Sequence, residues 1–150
     1  MKNLHLICVN QSSLRMPRAF LETWVAACEG DLRRHLPRSV QPRLRGELTV
    51  VFLDAAPARA LNLEFRGKNY ATDVLSFESP DSFGELVLCP QVLKAQATEH
   101  QLRLQEELGY LVLHGMLHLL GYEHERGGLQ ERRMYALQDA IFQRLQKRFF

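Results

Sequence analysis

Apolar side chains fill nearly every position from Leu108 to Leu120. A helix that is apolar all round is a buried one, so this segment is expected at the centre of the core. Its surroundings are patterned differently. "LHLICV" (Leu4 to Val9) is short and apolar-rich and reads as a first strand. Between Pro17 and His35, residues Phe20, Leu21, Trp24, Val25, Cys28 and Leu32 recur at spacings of three and four, which predicts an amphipathic helix with Pro near its start. Residues 36–46 hold two Pro and a Gly and read as a loop. "ELTVVFLD" (Glu47 to Asp54) is rich in strand formers. A short helix over about Pro57 to Phe65 follows, stopped by Gly67. "DVLSFE" (Asp73 to Glu78) and "GELVLCP" (Gly84 to Pro90) predict two more strands across a turn. Helices are expected after that, over about 91–98, 99–120 and 127–147.

Strands gather before residue 90 and helices after it. That order predicts an α+β fold: a small mixed sheet of about four strands packed with helices, the buried helix central. With 150 residues and no visible repeat or linker, residues 1–150 are expected to form one domain. The chain is 46% hydrophobic and 24% charged, the balance of a globular protein. The buried run is too short to span a membrane, and no cleavable leader is visible, so a cytoplasmic protein without membrane partners is expected. Cys8, Cys28 and Cys89 are odd in number and show no CxxC spacing, which fits reduced thiols.

Charge adds one feature. Residues 11–46 carry seven Arg against three acids, and residues 47–124 carry five basic groups against eleven acids. The densest run, "RRHLPRSVQPRLR", begins with Arg33 and Arg34. It is either a solvated face or a phosphate-facing one; Arg suits phosphate through its planar fork. Composition leaves both readings open.

The chemistry concentrates in "HGMLHLLGYEH". His114 and His118 are four residues apart and so share one helical face. Gly121 is placed to end the helix in a left-handed turn, which lets the chain bring His124 back toward the other two. Three neutral imidazoles can hold one divalent metal and leave a position open. Zinc suits the ligand type best, with nickel, cobalt and manganese as alternatives. The same spacing occurs in metzincin peptidases, but those carry Glu after the first His as the proton acceptor. Here that position is Gly115, which counts against peptide cleavage.

Two blocks resemble the YbeY-type endoribonucleases, bacterial rRNA maturation factors with relatives in organelles. "HGMLHLLGYEH" is similar to that family's H-G-x-L-H-L-x-G-[YF]-[DE]-H signature, including Gly115. "LNLEFRGKNYATDVLSF" (Leu61 to Phe77) is similar to its L-N-x-x-[FY]-R-x-K-[DN]-x-x-T-[DN]-V-L-S-F block, and "GELVLC" fits its following strand. The match runs over about residues 40–145. Glu78 stands where the family usually has Pro, and Glu123 replaces the commoner Asp.

The resemblance implies one catalytic metal, usually zinc, on His114, His118 and His124. It implies cleavage of single-stranded RNA, maturation of the 3′ end of small-subunit rRNA, and ribosome quality control. Its partners would be rRNA and the small ribosomal subunit or its proteins, not DNA. It singles out Arg66 as the functional arginine. The residues agree: Arg66 and Lys68 cluster at the end of a short helix, where a guanidinium can clamp a phosphate. Lys68, Arg33 and Arg34 are further candidates for substrate binding. Asn62 and Thr72 are expected to fix local backbone, and Asp73 to accept a hydrogen bond from a ligand imidazole. Ser76 and Phe77 alternate on a strand, one for the cleft and one for the core. The attacking group is either a metal-activated water or the ribose 2′-hydroxyl. A non-catalytic, metal-binding ribosome assembly factor is the rival reading.

Overall fold

The computed structural model describes residues 3–122 and 128–150. Its strands are β1 (Leu4–Asn10), β2 (Gly46–Phe52), β3 (Val74–Phe77) and β4 (Gly84–Leu88). Its helices are α1 (Arg18–His35), α2 (Ala55–Arg66), α3 (Pro90–Glu99), α4 (Leu104–Leu119) and α5 (Gly128–Phe149), with one short 3₁₀ turn at Gln41–Arg43. The sheet runs in the order β1-β2-β4-β3. β1 and β2 pair in parallel, as do β2 and β4, while β3 lies antiparallel to β4. This is the mixed four-stranded α+β fold expected from the pattern.

Burial follows the strand alternation. Leu48, Val50 and Phe52 of β2 and Leu86 and Leu88 of β4 are fully buried, because both strands are interior to the sheet. α4 packs against β3 and β4 and also against α1, α3 and α5. From Glu107 to Leu120 only Tyr110, His114 and His118 escape full burial. These three are four apart and form a single stripe along the helix.

The approach of α4 to its neighbours is closer than side chains allow. A Cβ at Gly109 would sit 2.7 Å from the Trp24 ring of α1, and the Gly109 carbonyl accepts the Trp24 Nε1–H at 2.9 Å. A Cβ at Gly115 would sit 2.5 Å from Leu86 Cδ2 on β4. Glycine at both points lets the helix backbone lie directly on its neighbours.

Helix ends explain the one clear difference from the pattern-based expectation. The helix expected over about 99–120 starts at Leu104. Just past the end of α3, Gln101 takes φ 59°, and the Gln101 and Leu102 amides donate back to the Thr98 and Ala97 carbonyls. That is the usual left-handed helix stop, with Gln where Gly is the sequence signal. At the other end Gly121 does what its position suggested. It has φ 99°, its amide donates to the His118 carbonyl at 2.9 Å, and the Tyr122 amide donates to the Leu117 carbonyl at 3.0 Å. Arg43 Nη1 donates to the Leu120 carbonyl at 3.0 Å and covers the negative end of the helix.

Gly109→Ala is expected to lower unfolding stability by about 1–3 kcal/mol, the usual cost of overpacking a filled core. Equilibrium denaturation checks it, with Trp24 fluorescence reporting the displaced ring.

Candidate active site

Two segments meet at the exposed side of α4. The first is the end of α2. Its chain turns at Gly67 (φ 70°), where the Gly67 amide donates to the Leu63 carbonyl and the Lys68 amide to the Asn62 carbonyl. Asn62 is buried and its Nδ2 donates to the Tyr70 carbonyl at 2.8 Å, which pins the loop after the turn. Arg59 Nε adds a bond to Asn69 Oδ1 at 2.7 Å. The basic side chains Arg66 and Lys68 therefore leave the helix at its negative end. The second segment is the α4 stripe. Together with β3 they enclose a cleft of about 210 Å³, lined by Asn62, Arg66, Lys68, Asp73, His114 and His118 among others.

The two imidazoles face each other. His114 Nε2 and His118 Nε2 are 3.0 Å apart, and the rings meet edge to face. His114 Nδ1 lies 2.9 Å from Gln138 Oε1 on α5. An amide oxygen there requires Nδ1 to donate, so the lone pair of His114 is on Nε2 and points at His118. Two nitrogens sharing one zinc tetrahedrally would be about 3.3 Å apart. The observed spacing is therefore within a small ring rotation of bidentate ligation. Among the described residues no cluster of three or more candidate metal ligands occurs. The third sequence candidate, His124, lies outside the described residues, as does Glu123.

Gln138 was not found from sequence. It is fully buried on the stripe Met134, Gln138, Ile141, Phe142 and Leu145 of α5. A lone amide on an otherwise apolar helical face was the available signal. Its Nε2 has no hydrogen-bond partner among the described residues, so the amide is held there by its contact with His114. Tyr135 was also missed. Its ring lies 6.3 Å from that of His114. Burial, then the nearby carboxylates of Glu131, Asp139 and Asp73, raise its phenol above the usual range, so it stays protonated.

The remaining sequence candidates are placed as follows. Asp73 Oδ1 accepts from the Val74 amide at 2.7 Å and from Thr72 Oγ1 at 3.4 Å, so these bonds shape the entry to β3. Ser76 is exposed to the cleft, and Phe77 is half-buried. Neither Arg33 nor Arg34 lines the cleft. Arg33 pairs with the buried Glu29 at 2.8 Å and donates to the Leu44 carbonyl. Arg34 pairs with Asp31 at 3.4 Å. Glu29 and Asp31 are nearly inaccessible, and a buried carboxylate requires a cation. The start of the basic run thus neutralises core acids, a role that the sequence did not suggest.

The profile of one protein family, endoribonuclease YbeY, matches residues 7–146. The chain belongs to the endoribonuclease YbeY family. It is 51% identical over 147 residues to "Endoribonuclease YbeY" of Bdellovibrio bacteriovorus, covering 97% of each chain. It is 39% identical over 140 residues to the Bordetella pertussis protein of that name, covering 87% of this chain and 84% of the relative. The solution structure of TM1509 from Thermotoga maritima superposes with a TM-score of 0.59 at 26% identity, covering 92% of this chain and 87% of that one. Gly115, packed on Leu86, leaves no room for the carboxylate that a peptidase would need after the first His.

Gln138→Leu keeps the volume of the buried site but removes the acceptor at His114 Nδ1. The expected outcome is a shift of His114 toward the other tautomer, read from its ring ¹⁵N chemical shifts. Gln138→Glu, which keeps an oxygen there, should retain the Nδ1–H form.

Proposed function

We propose that this chain is a metal-dependent endoribonuclease that cleaves single-stranded RNA at the His114–His118–Arg66 cleft. The observation that carries the reading is the convergence of two imidazole Nε2 atoms, 3.0 Å apart, in a cleft that also holds Arg66 and Lys68. Family membership supports the reaction class.

The ligand set would be His114 and His118, completed by His124, and zinc suits three imidazoles best. When bound, such a cation supplies Lewis acidity to the scissile phosphodiester. The chain's own residues do the rest. Gln138 holds His114 in the tautomer that presents Nε2 inward, the orienting role that ligand imidazoles commonly need. Arg66 offers paired N–H donors to the non-bridging phosphate oxygens, where charge grows as the bond to the nucleophile forms. Lys68 adds a looser positive charge on the same wall. Tyr135 keeps a protonated phenol beside His114.

Within this reading the substrate is rRNA, with the 3′ end of the small-subunit rRNA as the site of maturation. Ribosome quality control is the wider role, and the small subunit or its proteins are the partners. No helix among the described residues is long and apolar enough to cross a membrane. That is compatible with work on ribosomes in the cytoplasm. Peptide cleavage is disfavoured by the 2.5 Å approach of Leu86 to any side chain at position 115.

The purified chain is expected to bind about one divalent metal, and His114→Ala/His118→Ala to lose it. Elemental analysis decides this; full occupancy in the double variant would exclude the site. Product end-group analysis on single-stranded RNA, with and without chelator, tests the reaction itself.

Arg66→Ala should leave folding and metal content nearly unchanged and slow single-turnover cleavage by on the order of 100-fold or more, the scale for losing one transition-state donor. Arg66→Lys should recover part of the rate, because the ammonium keeps charge without the two-pronged geometry. Cleavage at the wild-type rate under saturating enzyme would reduce Arg66 to an RNA-docking residue.

A further inference from the structure

A second depression adjoins the cleft. It has a volume of about 240 Å³ and is lined by Phe65, Arg66, Leu75, Ser76 and Phe77. Arg66 and Ser76 line both cavities, so the two adjoin with Arg66 between them. The wall on the far side of Arg66 is aromatic. Phe65 and Phe77 meet at 5.2 Å between centroids with planes at 77°, and Phe65 is 59% exposed. An exposed phenyl ring on the last turn of a helix, one residue before a cleft arginine, contributes little to the core. It presents an open π surface to whatever Arg66 holds.

We infer that this depression is a nucleobase subsite. The base of a nucleotide flanking the scissile phosphate stacks on Phe65, with Phe77 as its floor, while Arg66 holds the adjoining phosphate. The inference deepens the proposed function and rests on the cleft being the RNA site. Every base has a π face, so stacking tolerates any sequence. A base inside a duplex has both faces covered by its neighbours and its edge paired, and cannot be delivered to a ring beside the backbone. An aromatic platform next to a phosphate clamp therefore selects unpaired RNA by geometry, without reading its sequence. The charge arrangement fits the same occupant: cationic where the backbone lies, at Arg66 and Lys68, and apolar where the base lies.

The test uses the full chain and binding of a single-stranded RNA in chelator, with the RNA shown intact afterwards. The same strand is also prepared with one abasic nucleotide, moved position by position. Phe65→Ala should weaken binding of the intact strand roughly tenfold, the scale of one lost base–aromatic stack. At one position the abasic strand should weaken wild-type binding by a similar factor, and Phe65→Ala should be indifferent to that same change. Phe65→Trp should bind like the wild type or tighter. Phe65→Leu, which keeps apolar bulk against Phe77 but no π face, should bind like the alanine variant while melting within a few degrees of the wild type. The preference for single-stranded over duplex RNA should narrow in Phe65→Ala. Losses that add at every abasic position, or a leucine variant that binds like the wild type, would overturn the subsite. A wild-type chain that binds no single-stranded RNA would overturn the cleft reading itself. Normal Phe65 variants beside a defective Arg66→Ala would overturn the base subsite alone.

Discussion

The backbone of α4 lies against its neighbours at distances that exclude a side chain, and the candidate active site depends on that contact. Gly109 admits the Trp24 ring and Gly115 admits Leu86. These contacts fix the height of the helix over the sheet and its rotation about its own axis. Once the rotation is fixed, the stripe Tyr110, His114, His118 is the only face of the central turns left incompletely buried. An imidazole pair on any other face would be sealed into the core, where an unsatisfied polar ring is costly.

The buried carboxylates are partnered along the same logic. Glu29 takes Arg33 and the Leu4 amide, Asp31 takes Arg34 and Arg144, and Glu107 takes His100. Each pairing ties a polar side chain into the structure and removes it from the surface available to a substrate. What remains near the cleft is concentrated at the end of α2, where Gly67 turns the chain and Asn62 ties the following loop. The cleft is thus cationic on the α2 wall and imidazole on the α4 wall. That division matches a phosphodiester, which has anionic oxygens to neutralise and a reacting centre to polarise.

Much of this was legible in the order of residues. A nearly unbroken apolar run marked the buried helix, strand-forming residues marked the strands, and Gly121 and Gly67 marked helix stops because few other residues accept a left-handed backbone. The shared face of His114 and His118 followed from a spacing of four. The stop at Gln101 was not legible, because Gln rarely takes that conformation and carries no local signal for it.

What the sequence determined by itself is therefore local: which segments are helix or strand, which helix is buried, and which residue types stand one turn apart on it. Contacts between distant segments were decided only by the tertiary structure. Gln138 is twenty-four residues from His114, and nothing in the intervening chain announces that α5 returns to the same stripe. Arg33 stood in a run that read as either solvated or phosphate-facing; folding brought the Leu44 carbonyl, eleven residues on and outside the helix, to its guanidinium. Phe65 and Phe77 are unremarkable in order, yet meet beside Arg66 once β3 takes the sheet edge. The physical reason is common to all three. A side chain's partner is set by how closely elements can pack, and that distance is fixed by the whole core, not by its own neighbours in the chain.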